Sequence, residues 1–126
     1  MSNLLRPSVS TIMITRKCVH SCSMCLIRRP SIDLEPEFWI TVGKKLHDKW
    51  NLHVNMYGGE PLCYKGFETI IKEYTDYGIN YSINTCSNPL SVSRARNLVK
   101  LGLTNWTASV DSMSDRDTRS GAGLRA

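Results

Sequence analysis

The sequence predicts an α/β fold of about four parallel strands with helices on the outer face. That describes either an open sheet or part of a (β/α) barrel, incomplete at its C-terminal end. Two observations predict it. Short apolar, β-branched segments alternate with amphipathic helical segments at a spacing of roughly 25 residues, which calls for parallel strands joined by right-handed crossovers. Helix-stopping glycines stand at Gly78 and Gly102, just ahead of two of the strand segments.

The first strand is expected at Val9–Thr15 (VSTIMIT), rich in β-branched residues. After a cysteine-rich loop, a helix is expected over Pro36–Trp50, with Pro36 in the first turn, where its missing N–H costs nothing. Phe38, Val42 and Leu46 recur at helical spacing and are expected to form its buried face. The second strand is read at Leu52–Tyr57 and runs directly into Gly58-Gly59-Glu60-Pro61. A helix near Gly66–Tyr77 should bury Phe67, Ile70, Ile71 and Tyr74. The third strand is read at Ile79–Thr85. A helix of about Ser91–Leu101 should bury Val92, Ala95, Leu98 and Val99, and the fourth strand is read at Leu103–Val110.

Composition bounds the function. With 126 residues, 41% hydrophobic and 21% charged, the chain has room for one domain with a real core and is neither disordered nor fibrous. No apolar run is long enough to span a membrane, and Met1–Pro7 lacks the layout of a secretory signal, so a cytoplasmic protein is expected. The formal charge of +5 raises a nucleic-acid partner, but the Lys and Arg residues are scattered and the densest pair is Arg28-Arg29; scattered bases argue against that partner.

Three of the five cysteines fall within eight residues, as Cys18-x3-Cys22-x2-Cys25. An odd count without a secretory signal points to metal or redox chemistry rather than a disulfide framework. Three thiolates on a short loop suit an iron–sulfur cluster and leave one iron open. A zinc site completed by His20 or Cys63 is the main alternative, and a dithiol redox motif a lesser one. In an α/β chain of this kind, reactive groups belong at the C-terminal ends of the strands, and that is where the unusual motifs fall. Gly58-Gly59-Glu60-Pro61 follows strand two. Its glycines allow close backbone approach to a ligand, and its carboxylate can receive an ammonium group. Thr85 ends strand three, while Ser109 and Asp111 alternate at the end of strand four. Cys63 and Cys86 read most simply as small packed hydrophobes, and His20, His47 and His53 as packing or surface residues.

A C-x3-C-x2-C loop after the first strand, followed one strand later by Gly-Gly-Glu-Pro, resembles the N-terminal part of the radical S-adenosylmethionine (SAM) core. The resemblance covers nearly all of 1–126. It implies that Cys18, Cys22 and Cys25 each ligate one iron of a [4Fe–4S] cluster whose fourth iron SAM chelates. It implies further that Met24 lies near the adenine, where relatives usually carry an aromatic residue. Gly58, Gly59, Glu60 and Pro61 would meet the methionine amino group, and Thr85, Ser109 and Asp111 the rest of the cofactor. Ser114–Gly121 also resembles the segment that follows the fourth strand in relatives. The implied activity is reductive cleavage of SAM to a 5′-deoxyadenosyl radical that abstracts hydrogen from an unidentified substrate, with electrons from a flavodoxin- or ferredoxin-like donor. A non-catalytic iron–sulfur or zinc module is the other reading. The family core has six βα units and this sequence supplies four strands, so a fragment, or a half completed by a partner chain, is expected.

Overall fold

The computed structural model describes residues 6–27 and 32–110. The element order is β1 (Val9–Thr15), α1 (Pro36–Trp50), β2 (His53–Gly58), a short 3-10 turn (Pro61–Cys63), α2 (Phe67–Tyr77), β3 (Tyr81–Thr85), α3 (Val92–Lys100) and β4 (Trp106–Ala108). The four strands are all parallel and lie in the sheet order β1-β2-β3-β4. Sequential order with right-handed crossovers puts every connecting helix on one face, as in a barrel wall; a doubly wound sheet would reverse direction.

That covered face is the core. Ile12, Ile14, Val54, Met56, Tyr81 and Ile83 project from the strands onto Phe67, Ile70, Ile71 and Tyr74 of α2. The four α2 residues are all fully buried, as the helical periodicity requires, and Gly78 closes the helix in the left-handed conformation at φ 81°. The opposite face carries polar side chains. His53 Nε2 and Ser82 Oγ lie 2.7 Å apart, and Ser82 Oγ donates to Asn55 Oδ1 at 3.0 Å.

Two helices differ from expectation. In α1, Phe38 is 49% exposed, and the contact with the core comes instead from Trp39, Ile40, Val42, Leu46 and the buried Gly43. A Cβ on Gly43 would overlap the Tyr74 ring, so the missing side chain is what lets α2 dock here. Tyr74 then donates its hydroxyl proton to the Trp39 carbonyl at 2.7 Å. Val42 and Leu46 thus face the core as the spacing requires, while Trp39 takes the place expected of Phe38. In α3, only Leu98 is buried; Ala95 is half-buried, and Val92 and Val99 are 70% and 60% exposed. Arg94 takes an inward position instead. It donates to Glu68 Oε1 and to the Leu62 carbonyl, both at 2.7 Å, and occupies the space a second apolar row would need. The last two strands are also shorter than read from sequence, with β3 starting at Tyr81 and β4 spanning three exposed residues. Among the described residues, no helix is long and apolar enough to cross a membrane.

Replacing Gly43 with valine is expected to destabilise the chain by about 1–3 kcal/mol in urea unfolding, because the added methyls meet a ring fixed by its own hydrogen bond.

Candidate functional site

The C-terminal ends of the strands bring three separated segments together. The residues after β1 carry the cysteine loop, those after β2 the Gly-Gly-Glu-Pro turn, and those after β3 the Thr85–Asn88 segment. The first two are joined backbone to backbone. Gly59 N donates to the Thr15 carbonyl at 2.9 Å and Glu60 N to the Lys17 carbonyl at 2.7 Å. A Cβ on Gly58 would overlap the Thr15 carbonyl oxygen, and one on Gly59 the carbonyls of Arg16 and Lys17. The space the glycines leave is therefore filled by the chain's own backbone at the root of the cysteine loop.

Glu60 joins the second segment to the third. Its side chain is 1% exposed. Oε1 accepts from the Leu62 N–H at 3.0 Å and the Thr85 hydroxyl at 2.6 Å, and Oε2 from the Cys86 N–H at 2.7 Å. A buried carboxylate is tolerable only when held this way. Thr85, 2% exposed, in turn accepts from Ser87 N at 2.9 Å, and Ser87 adopts φ 60° to turn the chain. Pro61 is buried in the first turn of the 3-10 segment. Thr85 thus lies beneath the tip and acts on Glu60. Ser109 is exposed on the neighbouring strand end, where its N–H donates to the Thr85 carbonyl at 2.8 Å. Asp111 and Ser114–Gly121 lie outside the described residues.

Within the cysteine loop, Cys25 N donates to the Cys22 carbonyl at 3.1 Å, so a turn at Ser23-Met24 folds these two cysteines together. Both line a cleft of about 250 Å³ with Ser21 and Ile27, and Met24 is 63% exposed beside it. Cys18 is close enough to Cys63 and Cys86 to act on both. It raises the pKa of both Cys63 and Cys86, although burial is the larger cause in each. Cys86 is pushed up to about 12, by burial first and then by its hydrogen bond to Glu60. His20 is buried, unlike an ordinary surface histidine. Its N–H donates to Cys18 Sγ at 3.4 Å, and its ring lies 3.4 Å from the Asn88 amide. A cavity of about 400 Å³ lies at the opposite end of the strands against His53, Asn80 and Asn105, with no cysteine in its lining.

A family model described as the radical SAM superfamily matches residues 12–125. The chain belongs to the radical SAM superfamily. Among solved structures it is similar to SuiB from Streptococcus suis bound to the precursor peptide SuiA, at 19% identity and a TM-score of 0.79, over 90% of this chain and 26% of that one. SuiB alone matches at 18% identity and 0.79, and SuiB bound to S-adenosylmethionine at 18% and 0.76, with the same coverage of both chains. At these identities the likeness is one of fold, and this chain spans about a quarter of the SuiB length. A search of curated proteins finds no match.

Radical SAM membership implies a [4Fe–4S] cluster and SAM, and the donor set suits the cluster. Three thiols sit on one loop at the strand ends, two of them folded into a shared cleft. Among the described residues no three His, Cys, Asp or Glu side chains gather around one point as the ligands of a single ion would. A cubane asks for a wider spread, since each thiolate binds a different iron.

The cysteine loop and the Gly-Gly-Glu-Pro turn, both singled out in the sequence, lie side by side at the strand ends. Sequence reading missed Asp33, which accepts from the Thr15 hydroxyl at 2.7 Å, Tyr64, which donates to the Leu34 carbonyl at 2.7 Å, and Asn88 beside the His20 ring; none carries a signature of its own. In the chain without cluster, iodoacetamide should label exposed Cys25 before Cys86. A thiol titrating near 12 gains thiolate about tenfold per pH unit, so Cys86 labelling should climb without a plateau between about pH 8 and 10. A plateau in that range would contradict the buried, Glu60-bonded thiol.

Proposed function

We propose that Cys18, Cys22 and Cys25 hold a [4Fe–4S] cluster with one iron left for SAM, and that the chain is the cofactor-binding part of a radical SAM enzyme. The observation that carries this reading is the joining of the cysteine loop to the Gly-Gly-Glu-Pro turn through Gly59 and Glu60 N–H bonds. It fixes the two motifs as neighbours at the strand ends.

When bound, the pair supplies one-electron cleavage of the sulfonium to methionine and a 5′-deoxyadenosyl radical, which takes a hydrogen atom from the substrate. The protein's part is to bind and orient. The three thiolates anchor the cluster. The Gly58–Pro61 turn offers backbone carbonyls to the methionine end, and Glu60, buried and held by its donors, adds negative charge beneath the turn that favours an ammonium there. Thr85 acts through Glu60. Met24 supplies a polarisable surface for the adenine, and Ser109 with Asp111 completes the cofactor contacts. The electron comes from a flavodoxin- or ferredoxin-like donor. SuiB is described with a precursor peptide bound, which makes a peptide the first substrate to test. Further strands, from the rest of the fold or a complementing chain, would cover the exposed residues of β4 and exclude water from the radical.

Anaerobic reconstitution with iron and sulfide tests the reading. The chain should take up about four irons and give a reduced EPR signal that changes on adding SAM, and Cys18→Ser, Cys22→Ser and Cys25→Ser should each abolish the change. Colourless, zinc-loaded protein, or a signal indifferent to SAM, would overturn it.

A further inference from the structure

The cysteine loop leaves the sheet at Thr15 and rejoins regular structure at Pro36. A connection of that length, free to move, would present three thiols in many arrangements, and ordering it has an entropic cost that grows with its freedom. Asp33 closes this loop at its base. Asp33 Oδ1 accepts from the Thr15 hydroxyl at 2.7 Å, and Asp33 Oδ2 pairs with Lys17 Nζ at 2.8 Å. The same Thr15 oxygen accepts from the Lys17 N–H at 3.0 Å. Thr15 is 4% exposed and the Asp33 side chain 13%, so the hydroxyl–carboxylate bond is sheltered, whereas Lys17, at 46%, lends an ion pair largely screened by water. One residue on, Tyr64 donates its hydroxyl proton to the Leu34 carbonyl at 2.7 Å and ties the same end of the loop to the segment after the Gly-Gly-Glu-Pro turn. Tyr64 is 3% exposed and its pKa is pushed up to about 12, chiefly by burial, so it remains a donor.

We infer that Asp33 is a positioning residue for the cluster: bonded to Thr15 and Lys17, it clasps the two ends of the cysteine loop and presets where Cys18 leaves the sheet. The inference rests on the cluster reading above and goes beyond the cysteine motif to a residue outside it. Nothing in the clasp touches iron. Its effect is to narrow the loop's arrangements before the metal arrives, so that less ordering remains when three thiolates take their irons. The charge-assisted hydrogen bond to Thr15 carries most of this, because it is the sheltered one. An asparagine at position 33 keeps an oxygen acceptor for Thr15 and should largely preserve the clasp. An alanine removes both contacts.

The test uses the full chain reconstituted with iron and sulfide. Asp33→Ala is expected to lose iron to a chelator at least about tenfold faster than the unsubstituted chain, with broadened EPR features, while Asp33→Asn stays within about threefold. The melting temperature of the metal-free Asp33→Ala chain should stay close to that of the unsubstituted one, which a merely structural role would not permit. Thr15→Val attacks the same bond from the strand side with little change of volume and should reproduce the fast loss, whereas Thr15→Ser should restore slow loss. If Asp33→Ala and Thr15→Val release iron at the rate of the unsubstituted chain, the clasp does not position the cluster. If the unsubstituted chain takes up no iron, the cluster reading itself falls, and the inference with it.

Discussion

The architecture of the site depends on a buried carboxylate that, among the described residues, is held by hydrogen bonds rather than by an ion pair. Glu60 sits 1% exposed at the meeting of three chain segments, and its two oxygens are held by the Leu62 and Cys86 N–H groups and the Thr85 hydroxyl. Removed from water alone, a carboxylate would be several kcal/mol unfavourable. Held by these donors, it becomes a pin. It stops the 3-10 turn from unwinding, fixes the end of β3 beside the end of β2, and directs the backbone that precedes it against the root of the cysteine loop. The strands deliver these segments to the same end of the sheet, and the carboxylate decides how they sit there.

From that pin the contacts run outward in order. The two glycines ahead of Glu60 have no side chain where the carbonyls of Thr15, Arg16 and Lys17 pass. The cysteine loop therefore starts flush against the turn, and Asp33 and Tyr64 secure its far end. His20 reaches Asn88 across the tip and joins the loop to the segment after β3. The three segments at the strand ends are thus one cross-braced unit, built from backbone and buried polar groups rather than from apolar packing. The core beneath is an ordinary apolar layer whose part is to keep the strands parallel and in register.

Much of this was legible in the residues. The bounds of β1 and α1 followed from β-branched content and from Pro36, and the α2 stripe from its spacing, because in those places local preference and tertiary packing agree. Where they disagreed, periodicity misled. Phe38 has the right spacing for burial, but Gly43 opens a hole for Tyr74 that turns α1 away from it. Val92 and Val99 repeat like core residues, but Arg94, committed to Glu68 and Leu62, claims the inner position. The same limit applies at the site. Cysteine spacing and Gly-Gly-Glu-Pro stand out in the sequence because few other chemistries use them. Asp33 does not, since a single aspartate in a loop has no pattern until Thr15 is folded beside it. The purpose of the two glycines was also hidden, because sequence shows that a backbone can approach something there but not what approaches.

The most direct measurement is a double-mutant cycle on Glu60→Gln and Thr85→Val, followed by urea unfolding of the metal-free chain. If one carboxylate pins the strand ends, the two losses overlap, and a coupling of about 1 kcal/mol or more is expected for a hydrogen bond of 2.6 Å to a buried charge. Losses that simply add would mean that Glu60 and Thr85 stabilise the tip independently, and the single-pin description of the site would be wrong.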